Sequence, residues 1–465
     1  MRRGACRAGQ LPLCGYTGAG RAGRLAAGII GLGTGQVIAD DEAREWTRAA
    51  CEALDAEDPL APLRREFVLP PGLIYLDGNS LGPLPAATAE RVGAAVREEW
   101  GDGLIGSWNS AGWIDLPRRV GAKIATLVGA RADEVIAADS TSVNLFKVLA
   151  AALRLRPERR TILSERGNFP TDLYIAQGII ATLGDGYRLE LVEREALESV
   201  LASGCDDIAA TMLTQVDYRT GSRLDMARIT SLVHRGGALA IWDLAHSAGA
   251  FPVDLEGAEA DFAVGCGYKY LNGGPGAPAF LYVARRHQGD FSQPLSGWMG
   301  HARPFDFIAE YRPAEGVGRY LCGTPSVLAL TALEAGVDGV LAAQPHGGLQ
   351  ALERKAALLT ECFIDLVEES CAQYGVSLVT PRAPAQRGNQ VSFAMTDGDA
   401  AYAVVQALIA RGVVGDFRAP DIMRFGFSPL YLRFVDAWDA AGHVAEVLQT
   451  REWDHPRFRQ RLAVT

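Results

Sequence analysis

Basic residues are in the minority: 45 Lys and Arg stand against 55 Asp and Glu in 465 residues, a formal net charge of −10. That balance argues against a nucleic-acid or anionic-membrane partner, although a local basic pocket for an anion is still allowed. None of the eight cysteines (6, 14, 51, 205, 266, 322, 362 and 371) sits in a CxxC pair or a regular framework, which fits reduced thiols in a cytosol. The seven histidines are scattered without ligand spacing, so no metal site is expected. No unbroken apolar run approaches the roughly 18 residues needed to span a bilayer. Internal repeats and low-complexity tracts are absent as well. Residues 1 to 39 carry arginines at 2, 3, 7, 21 and 24 and no acid. Arg21 and Arg24 ahead of LAAGIIGLG imitate a signal peptide, with Val37-Ile38-Ala39 as a poor cleavage site. The segment reads better as a disordered arm or a mis-assigned start. The Gly31, Gly33, Gly35 cluster is no dinucleotide fingerprint, since no strand precedes it.

What is present is an alternation of apolar runs and amphipathic stretches in a chain 48% hydrophobic and 22% charged, long enough for two or more domains. From about Asp40 to Phe67 apolar residues recur at helical spacing, interrupted by Pro59 and Pro62. Ile74-Tyr75-Leu76 reads as a strand, Asp77-Gly78-Asn79-Ser80 as a turn, and Pro83 and Pro85 precede a helix from about Ala86 to Trp100. A loop over 101–112 holds Trp108, with Trp113 beyond it. Strands are expected at Val135–Asp139, Thr161–Ser164, Arg188–Val192, Ile208–Leu213 and Ala238–Trp242 with helices between them, which predicts a mostly parallel sheet covered on both faces. Ser140-Thr141-Ser142 opens the helix that follows the first of these. Hydroxyls there are ordinary caps; directly after a strand of an α/β sheet they also form a phosphate site, because free N–H groups and the helix dipole point at the anion. A second domain is expected from near residue 336, with a long helix (Leu349 to Tyr374), strands at Ser377–Thr380, Gln390–Met395, Val413 and Ile422–Phe427, and helices Ala400–Arg411 and Val435–Thr450. The division is then an arm over 1–39, an N-terminal segment over 40–85, a large domain over 86–335 and a small C-terminal domain over 336–465.

The stretch from Trp242 to Ala277 organises the rest. Asp243 ends a buried strand, where a carboxylate is out of place without a cationic partner. Lys269 follows a second short apolar run (Asp261 to Val264) and lies between Tyr268 and Tyr270, ahead of a glycine-rich turn. In an open α/β sheet two such positions face the same crevice. Pyridoxal phosphate needs that pair: an amine to form the Schiff base and an acid to keep the pyridine nitrogen protonated. Either residue alone reads more readily as a helix cap or a solvated turn; both together in this string read as a cofactor site. Phe169 is the aromatic that would cover the ring, unless it belongs to the core.

The strings LDGNSLGPLP, STSVNL, GNFPTD, WDLAHSAG, GYKYLNGGPG, SGWMGH and GTP together resemble the kynureninases, from about Asp40 onward. Asp-x-x-His and a Lys before glycines also occur in cysteine desulfurases; FPTD, YKYLN and GWMGH are the more specific. The resemblance implies an α/β fold of the aspartate-aminotransferase-like, pyridoxal-phosphate-dependent transferase type, with a large domain built on a mostly parallel sheet plus a smaller α/β C-terminal domain. It implies a hydrolase that splits the Cβ–Cγ bond of L-kynurenine, and less well of 3-hydroxy-L-kynurenine, to anthranilate and L-alanine. That reaction belongs to tryptophan catabolism, the kynurenine pathway that also leads to NAD biosynthesis. Lys269 would carry the cofactor and the mobile proton, Asp243 would pair with the pyridine nitrogen, and His246 would support the ring or its phosphate. Thr141, Ser142, Tyr268, Trp298 and Thr324 would contact the phosphate, the last two from the partner subunit of a cytoplasmic homodimer with shared sites. Phe169 would stack on the ring, with Pro170, Thr171, Asp172 and Thr214 completing that site. Tyr268 would also relay a proton to the carbonyl. Arg424 would clamp the substrate α-carboxylate, with Ser80 and Trp108 lining the substrate site.

In the animal enzymes that favour the hydroxylated substrate, the resemblance places His at Trp108 and Asn at Thr324. An indole and a threonine offer a ring hydroxyl little to bond, so L-kynurenine should be preferred; across an unanchored loop, Ser107 or Trp113 could hold the Trp108 position instead. Two other readings compete. A desulfurase or selenocysteine lyase needs a nucleophilic cysteine on a mobile loop, and only Cys322, beside Gly323-Thr324, falls near the site. A non-catalytic cofactor-binding regulator predicts loss of Lys269, Asp243 or Arg424, and all three are present.

Overall fold

Four strands that are buried at every position, Thr161–Glu165, Ile208–Thr214, Leu239–Asp243 and Phe262–Gly265, form the centre of the computed structural model, which describes residues 45–462 apart from 185, 205 and 290–292. The arm expected over 1–39 lies outside the described residues. Such continuous apolar strands belong to a sheet covered on both faces. The sheet has seven strands in the spatial order 135–137, 280–283, 262–265, 239–243, 208–214, 161–165, 188–192. From 262–265 to 188–192 the neighbours are parallel. Phe280–Val283 runs antiparallel to both of its neighbours, so the sheet is mostly parallel, as expected.

Caps decide where the helices begin. Ser140 accepts a hydrogen bond from the Val143 N–H at 3.3 Å and starts the helix Thr141–Leu155, two residues before its first apolar position. The helix expected over 86–100 is α-helical only over Ala86–Ala94 and continues as a π-helix over Ala95–Asp102. Two helices, Leu116–Leu127 and Val327–Leu341, were not expected from the pattern. The stretch Val327–His346 is long and apolar enough, by length and composition, to cross a membrane. An eye for unbroken runs passes it over because Glu334 and Asp338 interrupt it. In the fold Leu330, Leu333, Val337 and Val340 are buried, and buried Glu334 pairs with Arg91, Arg119 and Lys123. It is therefore a packed core helix, and residue 336, the expected start of the second domain, lies inside it.

A second, antiparallel sheet follows, in the order 376–378, 390–395, 422–426, 416–418, accompanied by the helices Gly348–Cys371, Gly398–Ala410 and Phe434–Thr450. Asp416–Arg418 is a strand that periodicity misses, since three residues between Gly415 and Pro420 are too few to show alternation. The N-terminal segment joins the two sheets. Ile74–Tyr75 pairs in parallel with Val413–Val414, and Asp77 bridges Gly426. A few residues on, the Gly82 N–H donates to the Tyr268 carbonyl at 2.8 Å. A Cβ on Gly82 would lie 2.4 Å from the Lys269 carbonyl oxygen, so this approach needs glycine.

Asp261 fastens the centre of the large sheet. Its carboxylate accepts from the Ala240 N–H at 2.8 Å, from Arg286 at 2.7 Å, and pairs with His234 and His287 at 2.8 and 2.7 Å. Burial raises this carboxyl, but the bonds from His234, His287 and Ala240 outweigh it and hold the group well below the usual carboxylate range. Its stabilising contribution is therefore complete above the ordinary value of 3.8 and is lost as pH falls below that toward the folded-state value. Asp261→Asn should cost about 3 kcal/mol or more at pH 7, as when one partner of a buried ion pair is removed. The gap from wild type should narrow at pH 3. Urea denaturation at both pH values checks this, and equal midpoints at pH 7 would refute it.

Candidate active site

Lys269 and the two acids meet at the C-terminal edge of the large sheet. Asp243 ends its strand and is 4% exposed; its Oδ1 accepts from the Ala245 N–H at 2.7 Å. Asp172, in the first turn of the helix Pro170–Leu183, is 2% exposed, and its Oδ2 has no partner. Burial pushes the Asp172 carboxyl well up, the Asp243 charge pushes it further, and Lys269 and Thr214 oppose. Asp243 is raised by burial as well, against the pull of Lys269 and the Ala245 N–H. Two buried acids thus share one nearby ammonium. An orphaned carboxylate oxygen beside a second carboxylate fits a planar ring whose nitrogen is held as a cation.

The other faces of the site come from separate elements. His246 Nε2 lies 3.2 Å from Lys269 Nζ and 3.2 Å from the Asn79 carbonyl oxygen, and its Nδ1 is buried without a partner. Burial first, then the charges of Lys269 and Arg424, push this imidazole well below its ordinary value, so it is neutral, and its Nε2 either donates to the Asn79 carbonyl or accepts from the lysine according to the tautomer. The ring of Phe169 stands 5.9 Å from Lys269 Nζ and packs edge-on against Tyr218. Asn168 orders this corner: its Oδ1 accepts from the Phe169 N–H at 2.7 Å and from the Thr214 hydroxyl, and its Nδ2 donates to Ser164 at 3.1 Å. Sequence reading missed Asn168, although an Asn two residues before the Pro at the helix start is a turn signal. Pro170 and Thr171 form the first turn of that helix, and Thr141 and Ser142 the first turn of theirs, half-exposed. Tyr268 keeps its ring 5.8 Å from Lys269 Nζ, and burial raises its phenol, so the hydroxyl stays protonated.

Arg424 is 1% exposed and already engaged. It forms a bidentate pair with Asp416 through Nε (2.8 Å) and Nη2, donates from Nη1 to the Tyr218 carbonyl at 2.6 Å and from Nη2 to Ser80 Oγ at 2.9 Å. With its amide oxygen turned to the guanidinium, Asn79 accepts from Nε and Nη2 at 3.0 and 3.2 Å. Neither Asp416 nor Arg418, which also bonds Ser80 and Asp416, was anticipated, because the strand that carries them was not. Trp108 is half-buried with its ring 6.0 Å from that of Trp113. Trp298 and Thr324 are exposed, and Trp298 packs on Phe305. None of these three bonds to the Lys269 group among the described residues.

Residues 352–444 match the model of the kynureninase C-terminal domain. The chain is 54% identical over 424 residues to the kynureninase of Burkholderia mallei (strain SAVP1), a match that covers 90% of this chain and all of the relative. The chain belongs to the kynureninase family. A kynureninase of Pseudomonas fluorescens is 53% identical with the same coverage. Among solved structures, the cysteine desulfurase of Thermococcus onnurineus NA1 superposes with a TM-score of 0.67 over 84% of this chain and 98% of its own, at 19% identity. That likeness is one of fold, the pyridoxal-phosphate transferase fold, and the desulfurase reading is not favoured by the family match. Pyridoxal phosphate is the cofactor of this kynureninase-family chain, and the acids around Lys269 fit it.

Asp243 also predicts a trade between stability and function. A carboxyl raised by burial makes the folded state bind its proton more tightly, so ionised Asp243 weakens the fold increasingly as pH rises from 3.8 toward its folded-state value. Asp243→Asn should therefore leave the cofactor-free protein at least as resistant to heat as wild type at pH 8, while turnover falls by ~100-fold or more, as when a positioned acid–base group is disabled. Melting scans of the cofactor-free proteins and steady-state rates of the loaded ones check both halves; unchanged turnover would refute the role.

Proposed function

We propose that the residues around Lys269 carry hydrolytic cleavage of the Cβ–Cγ bond of L-kynurenine, to anthranilate and L-alanine. The observation that carries this reading is one ammonium set against two buried carboxylates in a chain aligned with kynureninases along their whole length. Asp243, Asp172 and Thr214 would hold the ring nitrogen side of the cofactor, and Phe169 and His246 its faces. Pro170 and Thr171 would fix the helix start beside it. Thr141, Ser142 and Tyr268 would hold its phosphate, with Trp298 and Thr324 from the partner subunit. When bound, the cofactor supplies a ring that withdraws electrons from the substrate carbons. Lys269 moves the proton at the substrate Cα, with neutral His246 next to its amine. Tyr268 keeps its proton and so donates to the carbonyl oxygen that water attacks through the adjacent carbon. Ser80 and Arg424 orient the α-carboxylate, and Trp108 walls the aryl ring.

The reading includes a division into an N-terminal segment (40–85), a cofactor-binding domain (86–335) and a C-terminal domain (336–465) that brings the carboxylate site. It also includes a cytoplasmic homodimer. Exposure of Trp298, Phe305, Phe307 and Ile308 supports a partner that covers this segment.

Purified protein given pyridoxal phosphate and L-kynurenine should release fluorescent anthranilate and an equal amount of alanine. Alanine and sulfide from cysteine without anthranilate would overturn the activity, and an active monomer by light scattering would overturn the shared site. L-Kynurenine should be preferred over 3-hydroxykynurenine by ~10-fold in kcat/KM, since an unpaired hydroxyl costs about 1–3 kcal/mol on burial. Trp108→His with Thr324→Asn should narrow that ratio; equal rates in the wild type would show the pocket is built otherwise.

A further inference from the structure

We propose that Arg418 is a second guanidinium of the substrate carboxylate site, holding the α-carboxylate together with Arg424 and Ser80. The proposal rests on the activity proposed above and concerns how its substrate is held.

The donors of Arg424 are nearly spent. A guanidinium has five N–H bonds. In Arg424 the Nε hydrogen and the two Nη2 hydrogens are shared among Asp416, Ser80 and the Asn79 amide oxygen, and one Nη1 hydrogen goes to the Tyr218 carbonyl. One Nη1 hydrogen remains. A two-point grip on a carboxylate by Arg424 alone would break a pair in which both side chains are 1% exposed, leaving Asp416 buried and unpaired. The charges agree: Arg424 and Asp416 cancel, and a neutral pair has no surplus charge with which to hold an anion.

Arg418 supplies what is missing. Asp416 lies directly across from Arg424 in the antiparallel pair of strands, and Arg418, two residues along, projects from the same face. Its Nη2 reaches Ser80 Oγ at 3.2 Å and also Asp416 Oδ2, so both guanidiniums converge on one hydroxyl and one carboxylate. Its Nε is buried with no partner, while the side chain as a whole is 35% exposed and so within reach of an incoming ligand. Two arginines and Asp416 leave one net positive charge. The other charged or titratable groups facing Arg418 are Asp77 and Tyr218. Burial, and then the Asp416 charge, push the Asp77 carboxyl up to about 7, so near neutrality it does not fully cancel that surplus. In this arrangement Asp416 is a positioning residue that splays the two guanidiniums, and Ser80 marks the point between them.

The test uses the holoenzyme and desaminokynurenine, the substrate without its α-amine, which carries the carboxylate and cannot react. Calorimetry should show wild type binding this acid more tightly than the corresponding carboxamide. Arg418→Gln should weaken the acid by ~10-fold or more, the worth of a charge-assisted hydrogen bond, and leave the carboxamide unchanged. With L-kynurenine, KM should rise far more than kcat falls. Arg418→Lys keeps the charge without the fork and should bind the acid between the two; if the Gln variant does not fold, the Lys variant decides, and wild-type affinity in it overturns the proposal. Acid affinity within twofold of wild type in Arg418→Gln overturns it too, as does a loss of kcat with affinity unchanged. Wild type that neither binds the acid nor releases anthranilate overturns the proposed function itself, whereas an active wild type with an indifferent variant overturns only the role of Arg418.

Discussion

Burial of two carboxylates beside a single ammonium is the constraint on which this molecule turns. Asp243 and Asp172 lie in surroundings that disfavour their charge, and Lys269 compensates only in part. A fold selected for stability alone would replace such a group with apolar residues of similar volume. Keeping it costs stability and leaves a site whose missing partner is a cation, which is what a protonated ring nitrogen provides. The sheet makes this tolerable. Asp243 extends from a strand held on both sides by parallel neighbours, so its carboxylate cannot move out to water without breaking that ladder.

A second charged group, Arg424 with Asp416 and Arg418, is built on the other sheet, and one turn of the N-terminal segment touches both. Asn79 offers its carbonyl to His246, beside Lys269, and its amide oxygen to Arg424. A Cβ on Gly426 would lie 1.9 Å from the Asn79 side chain, so the strand carrying Arg424 meets this turn at a glycine. The lysine and the carboxylate site are therefore spaced by backbone contacts at Asp77 and Gly82, on either side of the turn between them. Change in Asn79, Gly82 or Gly426 would disturb both ends of the substrate at once, although none of them need touch it.

Much of this was legible in the residues. The Asp243–Lys269 pairing stood out because an acid ending an apolar strand has few explanations, and the hydroxyls at 140–142 because they follow a strand directly. The strand Gln390–Met395 fell where alternation put it, and so did Arg188–Val192. The starts of the helices Thr141–Leu155 and Gly398–Ala410 were displaced by two residues, since the cap decides the first turn and apolar spacing begins later. Val327–Leu341 went unread because its apolar face is wide and its one buried acid, Glu334, makes sense only once three basic residues from two other helices surround it.

The sequence by itself determined the alternating α/β pattern, the pair of groups that a pyridine cofactor requires, and the family to which the chain belongs, because these depend on residue types at short or motif-bound spacings. Tertiary structure alone decided that Asp172 is an orphaned second acid, that Asn168 and Asn79 order the two halves of the site, and that Arg424 is paired with Asp416 beside Arg418. Each of those relations joins residues that are far apart in the chain or lie on a strand of three residues. Only the crossing of strands and turns brings their polar atoms within 3 Å or so of one another, and hydrogen bonding at that range has no signature in periodicity or composition.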